Sequence, residues 1–376
     1  MAKLIGNAPN QVPTNADLGS MAFEDRTNYI TKNNPIHQPY RNIIINGDMS
    51  IAQRGTSSSG ITGGNYTVDR FRYTKSGSSP TFTISQDTNV PTGQGFAKSL
   101  KLEVTTVSTT DSVDYGLITQ KFEGQNLQYL KKGTSNTESL TLSFWVKATK
   151  TGTYIVRLDD SDNTRQISQA YTINSSNTWE KKTITYAGDT SGALDNDNNQ
   201  SLSVEWCLYS GASYSSGTLA TSWESTTNVN KYVGQVDAFD TINNTWQITG
   251  VQLEAGTTAS DFEFLPYDVN LRRCQRYYHK YPNSGSNIGA SYNGSSASFF
   301  IYFPTTMRAT PTTSSASGSD YYRFYRLSSY DSITSLGDNG KSEEYMSFSF
   351  ATTSAAGTGG ELSVRSGGVL EAEAEL

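Results

Sequence analysis

The chain has 376 residues, a formal net charge of −6, and only 17% charged residues. Its 23 Tyr, 15 Phe and 5 Trp supply enough apolar surface for a folded core, which excludes a disordered chain. The acidic balance and the lack of a basic stripe argue against nucleic-acid binding, and no apolar run is long enough to predict membrane insertion.

Residues 1–40 differ in composition from the rest of the chain. They contain four prolines and little continuous apolar pattern, and the first residues lack the apolar segment of a secretory signal. Terminal segments of this kind become ordered only when they dock on a partner. We therefore predict an N-terminal attachment arm over residues 1–40.

Residues 41–266 alternate between apolar and polar side chains in many short segments. Residues 140–148, for example, read LTLSFWVKA, and Gly-, Ser-, Asn- and Asp-rich turns separate such segments from one another. Period-2 strands with one wet face are typical of an antiparallel sandwich or barrel. Because no segment with helical periodicity intervenes, the pattern argues against a parallel α/β fold.

The last strand of this unit breaks its own alternation. In TWQITGVQLEAG, Trp246 and Ile248 share one parity, whereas Val251 and Leu253 take the other. One additional residue at Thr249–Gly250 predicts a β-bulge that keeps both halves facing one core.

Residues 267–282 change to helical periodicity. Tyr267, Leu271, Cys274 and Tyr278 fall on one stripe, and the following Pro282 ends the run. We predict a connecting helix over residues 267–282 that forms a packing joint, with Cys274 buried. Cys274 and Cys207 are interpreted as free buried thiols rather than a disulfide.

Residues 283–376 return to strand patterns and form a smaller C-terminal β domain. The segment ASFFIYFP is apolar on both faces, which suggests that part of its core comes from elsewhere, such as other copies of the chain. The C-terminal VLEAEAEL alternates with one acidic face and predicts a strand at a solvent-exposed sheet edge.

Signals for catalysis are weak. The chain has two histidines, His37 and His279, and none of the motifs for zinc hydrolysis, phosphate loops or nucleophile elbows. We predict that the chain is not an enzyme, with no catalytic residue, no metal ligand and no cofactor.

Clustered acidic residues leave three interpretations open. Asp159, Asp160 and Asp162 lie in RLDDSDN, and Asp195 and Asp197 lie in LDNDNNQ. Such residues most often stabilise turns. They could instead hold a structural calcium ion or form the carboxylate pair of a glycosidase.

Four aromatic residues are candidates for ligand binding. Trp145 lies on the polar face of its strand, and the others lie in or near the turn-rich stretch 209–223. Flat rings can stack against sugar faces. The candidate ligand-binding residues are therefore Trp145, Tyr209, Tyr214 and Trp223.

Two segments bracket the first β unit with recognisable motifs. The opening segment RNIIINGDMSIAQRG contributes Asn42, Asn46, Gly47, Asp48, Met49, Gln53, Arg54 and Gly55, followed by Asp69, Arg70 and Phe71. The closing segment contributes Gly250, Gln252, Leu253, Glu254, Gly256, Ala259, Phe262 and Glu263, then Cys274, Arg276, Tyr277 and Tyr278. A later segment, FPTTMRATPT, covers residues 303–312.

In these motifs the chain resembles tail-fibre and related appendage proteins of tailed bacteriophages, and its bracketing segments are similar to those of carbohydrate-binding jelly rolls. The resemblance implies a mostly β protein with an antiparallel jelly-roll sandwich at 41–266, a short connecting helix and a distal C-terminal β domain at 283–376. It implies a homotrimer in the virion, made in the host cytoplasm, which docks on phage tail or neck proteins through residues 1–40.

The expected function is that of a phage tail-fibre or receptor-binding protein that contacts a host-surface glycan or receptor. Two alternatives remain, a structural decoration protein of the capsid or neck and a polysaccharide-degrading tailspike. The motifs resemble structural elements, so the resemblance supplies no catalytic residue.

Overall fold

The computed structural model describes residues 40–78, 80–282, 285–353 and 355–376. The predicted attachment arm lies outside the described residues except for Tyr40. The described chain is mostly β, and its sheets are antiparallel, as predicted. None of its helices is long and apolar enough to span a bilayer.

The first β unit is a sandwich of two packed sheets. One described sheet has six strands in the order β1-β4-β5-β13-β7-β10, and the other has seven in the order β12-β9-β8-β11-β6-β3-β2. The strands are β1 (Ser57–Ile61), β2 (Asn65–Tyr66), β3 (Arg72–Ser76), β4 (Thr81–Asp87), β5 (Ser99–Thr106), β6 (Tyr115–Glu123), β7 (Leu140–Ala148), β8 (Gly152–Asp160), β9 (Arg165–Ile173), β10 (Glu180–Tyr186), β11 (Gln200–Ser210), β12 (Glu224–Ser225) and β13 (Thr245–Ala255).

Short helical segments occupy some of the connections. They are the 3₁₀ turns Gly124–Asn126, Gln128–Leu130 and Asn228–Asn230 and the one-turn helix α1 (Ala212–Ser215). The inward side chains of both sheets form one continuous core in which Phe144, Trp206 and Trp246 are fully buried. Crossovers between the sheets place sequence-distant strands side by side, which is the jelly-roll arrangement.

The predicted β-bulge in β13 is confirmed. The pairing of β13 with β7 shifts register between Thr249 and Gln252, and Gly250 has φ of +61°, a left-handed conformation that glycine adopts readily. The side chains before and after the bulge, including Ile248 and Val251, enter the same core.

Only the first part of the predicted connecting helix is helical. The helix α2 runs over Tyr267–Gln275, whereas Tyr278–Tyr281 forms the strand β14, so the prediction of helix to residue 282 is wrong. Tyr267 is exposed and Tyr278 buried, which breaks the predicted stripe, although Cys274 is buried as expected. Backbone pairing of β14 with a strand about ninety residues later ends the helix early, and local periodicity carries no sign of that pairing.

The second β unit packs a seven-stranded sheet against a three-stranded sheet. The described order is β19-β18-β22-β15-β16-β21-β20 in the larger sheet and β14-β23-β17 in the smaller. Besides β14, the strands are β15 (Ser286–Asn293), β16 (Ser296–Tyr302), β17 (Thr312–Ser315), β18 (Tyr322–Arg326), β19 (Ser329–Ile333), β20 (Gly337–Lys341), β21 (Tyr345–Ala351), β22 (Gly359–Val364) and β23 (Leu370–Glu373).

This unit has a core of its own between the two sheets. Phe299 and Ile301 from the larger sheet meet Leu370 and Ala372 from β23. The strand β23 alternates as predicted, but it is the central strand of the three-stranded sheet, so its predicted position at an edge is wrong. Its two neighbours, β14 and β17, come from distant parts of the chain.

Candidate functional site

The four predicted ligand-binding aromatics do not form one site. Trp145 is half-buried on the outer face of the six-stranded sheet, between Lys181 on β10 and Thr249 on β13. Trp223 is half-buried and directly precedes β12, the edge strand of the seven-stranded sheet of the sandwich. Its Nε1 donates a hydrogen bond to the Ala187 carbonyl at 2.7 Å.

The other two candidates pack within the sandwich. The prediction for Tyr209 is wrong, because it is fully buried in the core and its hydroxyl lies 2.9 Å from the Tyr73 hydroxyl. A register shift between Cys207 and Tyr209 turns Tyr209 inward, against the alternation of its strand. Tyr214 is half-buried on α1 and packs edge-on against Tyr115, with 4.9 Å between ring centroids.

The clustered aspartates are engaged by protein groups. Asp160 has no exposed side-chain surface and pairs with the Lys132 ammonium at 2.5 Å. Asp162 accepts a hydrogen bond from the Asp195 amide at 2.8 Å, and Asp197 accepts one from the Asn199 amide at 2.9 Å. These contacts agree with the turn interpretation, and within the described ranges no three His, Cys, Asp or Glu side chains gather as a metal site.

The opening and closing motifs meet in space and hold the sandwich together. The Asn42 side chain donates to the Val251 carbonyl at 3.0 Å and accepts from the Leu253 amide at 3.0 Å. Gly47 lies so close to β13 that a Cβ there would be 2.1 Å from the Val251 oxygen. Asn270 of α2 donates to Asp48 at 3.1 Å. The residues that carry the resemblance are therefore structural.

A second set of motif residues joins the sandwich to the C-terminal unit. Arg70 forms an ion pair with Glu375, and its guanidinium lies 3.5 Å from the Tyr277 ring centroid. Arg54 lies 3.3 Å from the same carboxylate. Arg308, in the FPTTMRATPT segment, donates to the Ala374 carbonyl at 2.8 Å. These contacts make the junction a packed interface rather than a linker.

The outer face of the seven-stranded C-terminal sheet carries the most exposed group of aromatic side chains in a single sheet of the described chain. Tyr302 is 74% exposed, Phe300 46% and Tyr330 48%, and Ile288 between them is 82% exposed. Tyr345 lies opposite Tyr302 on the neighbouring strand. We call this surface the aromatic face; its members are Ile288, Phe300, Tyr302, Tyr325, Tyr330 and Tyr345.

Strand pairing sets the order of these side chains across the sheet. Tyr330 pairs with Tyr325, and Tyr325 pairs with Glu361, which pairs with Ile288. The pairing of Gly289 with Phe299 then brings Ile288 beside Phe300. The aromatic face and Glu361 therefore cross six neighbouring strands, about 24 Å at the usual strand spacing, and rings stand on four of those strands.

Polar groups lie between the rings. Glu361 is exposed at the centre of the line. At one end, Arg323 lies 4.5 Å from the Tyr330 ring centroid and donates to Asp320 at 2.7 Å. The hydrogen bond from Arg323 holds the pKa of Asp320 below its usual range. The aromatic face thus combines stacking surfaces with a carboxylate and a guanidinium.

Sequence reasoning found only part of this face. Phe300 and Tyr302 stand out in ASFFIYFP as a second apolar side of one strand. The other members come from four different strands, and only sheet pairing brings them to one surface. No local pattern could have grouped them.

No protein-family model matches the chain, and no curated protein matches it. Solved structures that match include carbohydrate-binding modules and a phage tailspike domain. The enzymatically active domain of tailspike protein 4 from bacteriophage CBA120 is 15% identical, with a TM-score of 0.33. That match covers 58% of this chain and 22% of the tailspike chain, so this chain spans about a fifth of that protein.

Two carbohydrate-binding modules match at similar levels. A family 11 module from Clostridium thermocellum, in complex with a mixed-linked tetrasaccharide, is 11% identical with a TM-score of 0.26, covering 55% of this chain and 99% of the module. A xylan-binding domain is 10% identical with a TM-score of 0.26, and the match covers 55% of this chain and 98% of that domain. Likeness at these identities and TM-scores carries neither a ligand nor an activity to this chain.

Proposed function

We propose that this chain is a host-attachment protein of a tailed-phage virion and that its aromatic face binds saccharides on the bacterial surface. The observation that carries the proposal is the aromatic face, an exposed group of side chains across six strands in which Ile288 and Tyr302 are more than 70% exposed. A soluble chain rarely leaves such a surface unused, and contiguous exposed apolar patches usually mark interaction sites.

The chemistry of the face favours a saccharide over an apolar protein partner. Sugar rings present C–H faces that pack on aromatic rings and hydroxyl groups that bond to carboxylates and guanidinium groups. Glu361 and Arg323 lie among the rings, and Tyr345 adds a phenolic hydroxyl. A purely apolar partner would remove Glu361 from water without a compensating hydrogen bond, which is unfavourable.

The proposed place of the protein is the virion, as a homotrimer that docks on tail or neck proteins through residues 1–40. The motif resemblance to phage appendages supports this part of the proposal. We also propose binding without catalysis, because the clustered aspartates are held in ion pairs and turns.

The direct test is binding of the purified full-length protein to host cells and to their extracted surface polysaccharide. The double variant Phe300→Ser/Tyr302→Ser is expected to lose binding at least tenfold, because each ring contributes about 1 kcal/mol or more. Tyr267→Ser is the matched control, since Tyr267 is 64% exposed but lies on α2, away from the face. Equal binding by both variants would contradict the proposed face.

Two further measurements separate the alternatives. Release of reducing sugar from the polysaccharide by the wild-type protein would support a degrading tailspike and contradict binding without catalysis. A monomeric mass in solution would contradict the homotrimer. Absence of any binding to cells or polysaccharide would favour a decoration protein of the capsid or neck.

A further inference from the structure

A polar cleft of about 230 Å³ opens at the junction of the two β units. The segment from Arg54 to Thr67, which includes β1 and β2, forms most of its wall, and Glu373 of β23 closes it from the C-terminal unit. The cleft shares no residue with the aromatic face. It is large enough to hold one sugar unit with ordered water.

Hydrogen-bonding groups dominate the cleft. Its lining includes the hydroxyl groups of Ser57, Ser58 and Thr67 and the amide of Asn65. Glu373 adds a carboxylate whose side chain is 52% exposed. Both donors and acceptors are therefore within reach of a ligand that is rich in hydroxyl groups.

Tyr66 provides the one flat wall, and two arginines flank it. The Arg54 guanidinium lies 4.6 Å from the Tyr66 ring centroid and the Arg72 guanidinium 5.8 Å from it. Arg54 also lies 3.6 Å from the Tyr278 ring centroid. Arg72 stands beside the cleft at Gly64, where a Cβ would be 3.8 Å from its Nη2.

The two arginines beside the cleft differ in their ion pairing. Arg54 shares one guanidinium between Glu373 at 3.7 Å and Glu375 at 3.3 Å, and Glu375 also pairs with Arg70. In the part of the chain that the structure describes, Arg72 forms no ion pair. Asp69 is close to Arg54 and attracts its charge, and both of its carboxylate oxygens also accept hydrogen bonds from Gln53.

The geometry points to a binding site in this cleft for a saccharide unit that carries a carboxylate. The Tyr66 ring stacks against the sugar, the Asn65 amide and the serine hydroxyls bond to its hydroxyl groups, and the Arg72 charge attracts its carboxylate. The space beside Gly55 is open, since a Cβ there would meet nothing within 4 Å.

Three small probes test this site on the full-length protein by calorimetry and saturation-transfer NMR. D-glucuronate and D-glucose differ only in a carboxylate against a hydroxymethyl group, and acetate carries the charge without the sugar. Glucuronate is expected to bind, and glucose at least about tenfold more weakly, since one charge-assisted hydrogen bond contributes about 1.5–3 kcal/mol and 1.4 kcal/mol is a factor of ten in affinity. Acetate is expected to bind more weakly than either sugar.

Variants assign the contacts. Arg72→Gln is expected to lower glucuronate affinity to that of glucose, whereas Asn65→Ala is expected to weaken both sugars. Phe300→Ser/Tyr302→Ser is the matched control and should leave both affinities unchanged, so failure of the aromatic face and failure of the cleft are distinguishable. Thermal melting of each variant confirms that it is folded.

Three outcomes would overturn the inference. Unchanged glucuronate affinity in a folded Arg72→Gln variant would remove the carboxylate assignment. Acetate binding as tight as glucuronate would reduce the site to one for simple anions. No signal for either sugar at about 10 mM, a concentration above the expected Kd of a single-sugar site, would show that the cleft holds only water.

Discussion

Arg276 donates two hydrogen bonds to the buried carboxylate of Glu123, from Nε to Oε1 at 2.8 Å and from Nη2 to Oε2 at 2.6 Å. Tyr277 donates a third at 2.5 Å. Burial would raise the pKa of Glu123, but the hydrogen bonds from Arg276 and Tyr277 outweigh burial and hold that pKa below its usual range. The ion pair between Arg276 and Glu123 joins the end of β6 to the end of α2. It therefore connects the sandwich to the segment that leads into the C-terminal unit.

Replacing Arg276 should destabilise the protein strongly. Arg276→Met leaves the Glu123 carboxylate buried without its main partner, and breaking such a pair reduces the free energy of unfolding by about 3–5 kcal/mol. Urea unfolding of the two proteins measures the difference. Arg272→Met is the control, because Arg272 is exposed on the same helix and its loss should change stability by less than about 0.5 kcal/mol. Similar effects of the two variants would contradict the role of the pair.

The bulge in β13 should tolerate no side chain at Gly250. A Cβ there would lie 2.5 Å from Phe96 Cζ, and the φ of +61° disfavours other residues. Gly250→Ala is expected to reduce the unfolding free energy by about 2–4 kcal/mol, from backbone strain and the clash together. Gly60→Ala separates the two causes, because its φ is +70°, close to that of Gly250, but nothing lies within 4 Å of a Cβ there. An equal or larger loss at Gly60 would show that the Phe96 contact is unimportant.

Lys132 should act as an internal counter-ion. Its ammonium lies 2.5 Å from Asp160 and 2.9 Å from Asp189, and all three side chains are at most 6% exposed. Lys132→Met leaves two buried carboxylates without that charge and is expected to lower stability by about 3–5 kcal/mol. Thermal or urea unfolding measures this loss.

The neighbouring lysine supplies the control for this variant. Lys131 pairs with Glu138 at 2.9 Å but is 51% exposed, so Lys131→Met should change stability by less than about 1 kcal/mol. Equal effects at the two positions would contradict a special role for Lys132. Recovery of the Lys132→Met variant by added calcium would show that the carboxylates can hold a metal ion once the ammonium is gone.

Acid should weaken the fold through His279. Burial lowers the pKa of this imidazole from 6.5 to about 4, so between these two pH values the unfolded chain binds a proton that the folded chain does not. The contribution of His279 to the free energy of unfolding is fully present above pH 6.5. It falls by up to about 3 kcal/mol as the pH drops towards 4. Urea unfolding midpoints between pH 7.5 and 4.5 measure the slope.

His279→Phe isolates this contribution from that of the carboxylates. The ring packs 5.8 Å from Phe303, edge to face, so a phenyl group should fit the site. The variant is expected to show a shallower fall in stability over the same pH range. An unchanged slope would mean that other groups cause the acid sensitivity.

Local patterns account for the parts of the fold that depend on neighbours in sequence. The period-2 strands, the bulge at Gly250 and the burial of Cys274 follow from alternation, a parity slip and helical spacing. Three errors arose where strand pairing overrides the local pattern, one of them the placement of β23 at a sheet edge. Tyr278 belongs to a strand because β23 pairs with it, and Tyr209 is buried because a register shift reverses its side.

Local sequence patterns predicted less of the two candidate sites than of the fold. Phe300 and Tyr302 could be recognised as the second apolar side of one strand, but their exposure and their neighbours on the aromatic face, which come from other strands, could not. The polar cleft joins residues near position 60 to Glu373. No sequence spacing relates such residues, because the contact exists only after two β units pack.

By itself, the sequence determined the mostly β composition, the two β units and the motifs that bracket the first of them, since hydrophobic periodicity and turn residues act over a few positions. Only the tertiary structure decided that residues of those motifs join the sandwich to the C-terminal unit. It also decided that rings from several strands form one surface. The physical reason is that sheet pairing and side-chain packing join residues far apart in the chain, and the free energy that selects those partners comes from the whole core.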